Sequence, residues 1–323
     1  MRNILLNQIL LITAFLGLSS AFLIVDSCPV SSPCTCSVSS GIDGNINCGS
    51  KSLTNIPNIK QSSSHVSNLY VYFNSNKITV IQNNAFRNLN SINASYIDLL
   101  LYSNMIHAIE SNAFNGITNT YISLNLDENN LSVLPSAILN LHNLRNLDIL
   151  QNPLHSLDAS FMSNIGRHLT SFSLDLKLFT EWPGELHYLR VLQTLTVKNI
   201  QFPHLDINAF HGFENTLTNL TLVSSKLEKV PYAVCHLSHL SSLTFRYDNN
   251  LQENKSSIFE PCGKKLSSLT SLNLDSNNLH MFPNVFTLFP SITSLSLYNN
   301  KLQYIDITKI PFHSKLNYYE FTV

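Results

Sequence analysis

Leu269 to Phe282 reads LTSLNLDSNNLHMF, with leucine at its first, fourth, sixth and eleventh positions and Asn277 at its ninth. Leu272 and Leu274, two residues apart, point to one face of a short strand. Thr270, Ser271, Asn273 and Asp275 take the other face or the flanks. Asn277 ends the strand, where its amide can bond backbone groups that a turn leaves unpaired. The pattern is L-x-x-L-x-L-x-x-N-x-L, and its recurrence decides the fold.

Aligning the ninth position gives Asn76, Asn104, Asn129, Asn152, Lys177, Ile200, Ser225, Asp248, Asn277 and Asn300, at spacings of 28, 25, 23, 25, 23, 25, 23, 29 and 23. Apolar residues keep the template where the asparagine is lost, as with Leu169, Phe172, Leu174 and Phe179 in the fifth unit. The alternation has period two and is followed by a turn, which excludes an amphipathic helix. A single unit of this size cannot bury its own apolar side chains. Ten must stack, sharing a core and pairing their strands into one parallel sheet. Units five to eight, where Lys177, Ile200, Ser225 and Asp248 stand, form the irregular stretch. It reads either as tolerated drift or as a local change of curvature that shapes a binding region.

The return segments come in two styles. Ala85-Phe86, Ala113-Phe114 and Ala209-Phe210 would stack rings as a second apolar spine. Leu134-Pro135, Trp182-Pro183, Val230-Pro231 and Phe282-Pro283 place proline outside the strands, where it costs no ladder bond. Such returns take more room than strands, so the sheet should line the inside of an arc.

The chain has 323 residues, 44% hydrophobic and 12% charged, with a formal charge of −1. That balance carries no basic footprint for nucleic acid or an anionic membrane. Arg2, the apolar run from Ile4 to Leu18 and Ser19-Ser20-Ala21 read as a signal peptide over residues 1–21, with an uncleaved anchor as the alternative. Cys28, Cys34, Cys36 and Cys48 follow, and in a secretory chain they imply two disulfides; their spacing alone allows three pairings. Cys235 and Cys262 flank the eighth strand in neighbouring returns, where a disulfide is expected. The competing reading is a metal site with His236 and His239, which a secretory compartment disfavours.

The repeat and the cysteine cluster together resemble extracellular leucine-rich-repeat proteins, such as ectodomains of Toll-type receptors and small secreted recognition proteins. The resemblance covers residues 28–323 and implies an α/β leucine-rich-repeat solenoid, or horseshoe, with its parallel sheet on the concave face. It implies a cysteine-rich amino-terminal cap over 28–58, paired Cys28–Cys36 and Cys34–Cys48, and a repeat array over 59–323. It also implies a non-catalytic scaffold that recognises a protein or glycoprotein, with no cofactor. After the tenth unit, Leu316 to Phe321 begins another strand and no cysteine-bearing carboxy-terminal cap follows. A fragment of a membrane receptor, or self-association through an open end, is therefore a competing expectation, as is a structural matrix component.

No G-x-S-x-G, H-E-x-x-H or phosphate-cradling glycine run occurs, and the 12 histidines are scattered. The expectation is no enzyme and no metal. Sequons at Asn93, Asn130, Asn219 and Asn254 fit a glycosylated, secreted chain. With leucines inward at positions four and six, positions three, five, seven and eight should face the concave side. The ligand-binding candidates there are Tyr70, Tyr72, Asp98, Tyr102, Asp127, Glu128, Asp148 and Asp175, with Arg246 and Tyr298 further along. Tyrosine anchors beside an acidic stripe suit a partner with a basic, partly apolar patch.

Overall fold

A computed structural model describes residues 28–39, 42–63, 65–248, 251, 258–260, 262–263, 265–311 and 316–321. The expected signal peptide and the Asn254 sequon lie outside the described residues. A 13-stranded sheet runs the length of the molecule. It opens with an antiparallel hairpin, β1 (Thr35–Ser39) and β2 (Asp43–Asn47). Thereafter every pairing is parallel. β3 (Asn68–Tyr72), β5 (Tyr96–Leu100), β7 (Tyr121–Asn125), β8 (Leu144–Asp148), β9 (Ser171–Asp175) and β10 (Thr194–Lys198) follow in order. β11 (Asn219–Val223), β12 (Ser242–Arg246), β13 (Ser271–Asn273), β14 (Ser294–Leu297) and β15 (Tyr318–Phe321) complete it. Strands β3 and β5 and each strand after them belong to successive repeats, β15 being the eleventh. The remaining strands, β4 (Val80–Ile81) and β6 (Ala108–Ile109), pair in a small separate sheet on the return side.

The fold is thus an α/β leucine-rich-repeat solenoid with one continuous core. Leu272, Leu274 and Leu279 of the opening stretch are fully buried, as are their counterparts Leu99, Leu101 and Ile106 in the second unit. Phe86 and Phe114 stack with centroids 5.8 Å apart and planes 9° from parallel. Phe210 instead meets Trp182 edge-on at 5.6 Å, and the indole Nε1–H donates to the Ala209 carbonyl at 2.7 Å. The phenylalanine spine is therefore two segments rather than one. Pro135, Pro183 and Pro231, with φ near −66°, each precede a 3-10 turn whose helical φ their rings do not oppose. A short α-helix, Ala159–Ile165, starts at Asp158, whose carboxylate accepts from the Phe161 N–H.

The cap is bonded Cys28–Cys36 and Cys34–Cys48, and its strand β2 begins the parallel ladder by pairing with β3. Cys235 is bonded to Cys262, 27 residues on, tying neighbouring returns. Both cysteines of that pair are consumed, so neither is a thiolate ligand for a metal.

Each ladder asparagine stitches two units. Asn129 accepts from the Ile106 N–H of the unit before and donates to the carbonyls of Leu101, Leu126 and Asp127. Asn76, Asn129, Asn152 and Asn277 are buried as this role requires. The residue just before the ladder position takes a left-handed φ near +55° in every unit but the fifth, at Ser75, Ser103, Glu128, Gln151, Asn199, Ser224, Tyr247, Ser276 and Asn299. That kink turns the ninth side chain inward.

Two features depart from the template. In units one to three the first core residue stands at position two, as Leu69, Ile97 and Ile122, so position one faces outward. A bulge resets the register between β7 and β8: Ile122 pairs with Leu144, but Ser123 pairs with Asn146, leaving Arg145 as the extra residue. In the fifth unit, Leu176 is buried where the kinked residue should be and Lys177 is exposed.

Candidate functional site

The outward face of β3, β5, β7 and β8 carries the densest chemistry. Alternation places Tyr70 and Tyr72 on β3, Asp98 on β5 and Asp148 on β8 opposite the core-directed Val71, Leu99 and Leu147. Tyr102 and Asp127 stand in the turns that follow β5 and β7. All are partly exposed. The register change brings two residues to this face that the template consigned to the core. These are Tyr96 and Tyr121, at position one of their units, and Tyr121 is 49% exposed. Arg145, the bulged residue, lies over the Tyr121 ring with its guanidinium carbon 5.1 Å from the centroid. The signal for both was legible: in YIDLLL and YISLNL the apolar alternation runs unbroken through positions two, four and six, so the first core residue falls one place after the leucine of the template.

The carboxylates crowd one another. Asp127 is pushed up to about 6, first by burial and then by the Asp148 charge. Opposing this are the Leu150 N–H, which donates to it at 2.6 Å, the Lys198 charge and Asn125. Burial raises Asp148, against a hydrogen bond from Ser173, and the Asp98 charge adds to the rise. Burial likewise raises Asp98, with a Ser123 hydrogen bond opposing it. One oxygen of Asp98 is buried without a hydrogen-bond partner among the described residues. The phenols of Tyr72 and Tyr96 are raised, chiefly by burial. The face is an acidic surface with too few cations of its own.

Other candidates behave differently. Glu128 is exposed and accepts from the Ser103 hydroxyl at 2.5 Å. Asp175 is a correction to the concave-face expectation. It is 3% exposed, its carboxylate taking the Lys177 N–H at 2.8 Å and the Asn199 amide at 2.7 Å. A side chain so enclosed holds the turn and offers little to a partner. Arg246 is also committed, lying 4.9 Å above the Tyr247 ring and 3.9 Å from Asp275. Tyr298, 49% exposed, stands beside this pair, so the far end of the face is aromatic and nearly neutral. Leu176 corrects the rule for position eight, since it is core rather than surface.

Asn93 and Asn130 are exposed in turns. Asn219, exposed, is the first residue of β11 on the sheet face, with its amide 3.4 Å from the Thr194 hydroxyl. Asn130 has a second distinction. It rims a cleft of about 400 Å³ that opens where the ladder breaks between units four and five.

No family model matches the chain. Over 176 residues, 53% of its length, it is 30% identical to Leucine-rich repeat-containing protein 3B of Bos taurus, and equally so to the proteins of that name from Mus musculus and Homo sapiens. The match spans 62% of those relatives, less than two thirds of their length. A solved leucine-rich-repeat protein of Leptospira interrogans superposes with a TM-score of 0.55, covering 85% of this chain and 83% of that one. At 20% identity the likeness is one of fold alone. Among the described residues no helix is long and apolar enough to cross a membrane. The chain thus has the leucine-rich-repeat fold, with bonded amino-terminal cysteines that fit a cysteine-rich cap, and is similar to leucine-rich-repeat relatives over about half its length.

Proposed function

We propose that the chain is a secreted, non-catalytic recognition module that binds an extracellular protein or glycoprotein through the concave sheet face. The observation that carries this reading is the surface formed by Tyr70, Tyr72, Tyr96, Asp98, Asp127 and Asp148. Amphipathic rings are the side chains that most often dominate binding energy. Carboxylates held above their usual range by burial and mutual repulsion gain when a cation arrives. Of the 40 template positions three, five, seven and eight in ten units, 33 are at least partly exposed, ample for an interface needing ~20–30 residues a side. The partner this chemistry fits is a protein surface bearing lysine or arginine beside an apolar patch. Recruitment would weaken as pH falls through about 6, because Asp127 then takes up a proton and loses the charge that attracts the cation.

The test is proximity labelling and co-purification of partners from extracellular medium, repeated with Tyr72→Ala combined with Asp148→Ala. Loss of the partner by at least tenfold in affinity, with the fold intact, supports the reading. Unchanged affinity, or partners that bind better at higher salt, would send the interface elsewhere.

A further inference from the structure

The cleft at the broken ladder has a physical origin. In the preceding unit, the Leu131 N–H is taken by the Asn152 carbonyl oxygen across the unit boundary. The next such N–H, that of Leu154, should meet an asparagine at position 177. There the sequence has lysine, the kink at 176 is replaced by a buried leucine, and the side chain at 177 faces solvent. The turn does not fold inward, and the space left is lined from four successive units. Asn130 and Gln151 stand on one side and Asp175, Lys177 and Asn199 on the other, with Pro153 and Leu178 as an apolar wall.

We propose that this cleft is a binding site for a neutral saccharide. The volume is in the range of small-molecule sites, ~300–1,000 Å³. Amides at Asn130, Gln151 and Asn199 can both donate and accept, as adjacent hydroxyls on a sugar ring require. Asp175 is enclosed and already bonded to the Lys177 N–H and the Asn199 amide, so Lys177 is the one exposed charge on the rim and the remaining polar lining is uncharged amide. Leu178, 51% exposed, and Pro153 supply the apolar contact for the C–H face of a ring. The saccharide has two available sources, a free or partner-borne glycan and the chain's own glycan at the Asn130-Leu131-Ser132 sequon on the rim. This site is separate from the acidic sheet face and does not rest on that reading.

The experiment uses the whole chain from secreting cells and a Ser132→Ala form, which removes the sequon while keeping the Asn130 amide. Saturation-transfer NMR is run with N,N′-diacetylchitobiose and maltose as neutral probes, and with glucuronic acid and glucosamine as charged comparators. The expected result is transfer to a neutral disaccharide in Ser132→Ala, at least tenfold stronger than to either charged sugar. It should weaken at least tenfold in Leu178→Glu, a surface change that leaves the core untouched. Leu176→Ser with Lys177→Asn, which rebuilds the kink and the rung, should abolish it. If the native chain carries a glycan at Asn130 and excludes the free probe, the occupant is its own glycan. If native and Ser132→Ala forms bind alike, the saccharide comes from outside. Absence of transfer from both neutral probes in Ser132→Ala would overturn the proposal, as would transfer that survives Leu178→Glu undiminished.

Discussion

Units one to four and units five to eight share a strand template but solve the turn differently. In the first block Asn76, Asn104, Asn129 and Asn152 repeat one device, an amide that bonds backbone groups of its own and the preceding unit. In the second block three devices replace it. Lys177 leaves the turn open. Ile200, fully buried, fills it with hydrocarbon. Ser225 and Asp248, both buried, hydrogen-bond each other across the unit boundary, and the Ser225 hydroxyl also accepts from the Leu227 N–H. The stack tolerates all three because the strand ladder and leucine core persist. The polar rung is a local stabiliser, not the origin of the fold.

Substitutions can break that distinction. Asn129→Ala leaves buried backbone groups on both sides of the rung without partners, and a loss of about 3–4 kcal/mol is expected. Lys177→Ala, at the same template position, should change stability by less than about 0.5 kcal/mol. Equilibrium urea unfolding measures both, and similar losses would mean the two turns are equivalent after all. Next in size is removal of the Cys235–Cys262 bond, which sits in the irregular block. Replacing both cysteines by serine should cost about 3 kcal/mol, with hydrogen-exchange protection lost first in units seven and eight. Uniform loss along the array would show that the bond does not serve that block in particular.

A third comparison concerns the returns rather than the turns. Gly116 lies in the regular block with φ +94°, and a Cβ there would stand 2.1 Å from the Arg87 carbonyl. Gly212, in the irregular block, has φ +97° and the same 2.1 Å approach to the His187 carbonyl. Alanine at either should cost about 2 kcal/mol or more, and by similar amounts. Unequal costs would extend the difference between blocks to the convex side.

The smallest expected effect is on the sheet face. The folded Asp127 titrates near 6, above its ordinary 3.8, so the native chain holds more protons than the unfolded one between these values. Stability attributable to this group is present at low pH and falls as pH rises through about 4–6. Asp127→Asn should flatten that slope and stabilise the protein at pH 7.5 by about 1 kcal/mol, a figure discounted for partial exposure. A steeper slope in the variant would contradict the assignment.

The repeat, its unit boundaries and the two styles of return are legible in the sequence because leucine spacing and proline act locally. The cap pairing came from resemblance, since four cysteines by themselves leave it open. Less legible was the sheet face. Tyr96 and Tyr121 reach it only through a register change, which depends on Arg145 being extruded when β7 meets β8. Asp175 looked available because the template gives positions and not depth; its enclosure comes from Lys177 and Asn199, residues of the following turn and the following unit. The cleft was hidden for the same reason. Lys177 announces a missing asparagine, but only the loss of the kink at Leu176 converts that loss into space.

The open rung also has a consequence for how the array moves. In a stack whose stability is a sum over neighbouring pairs, the pair with the fewest cross-bonds is the hinge at which opening fluctuations begin. The joint between units four and five lacks its amide rung, as does the next one at Ile200, and the cleft lies across the first of these. A molecule seated there would act as a detachable rung: each half would hold the other more firmly for as long as it stayed, and the gain would scale with its concentration.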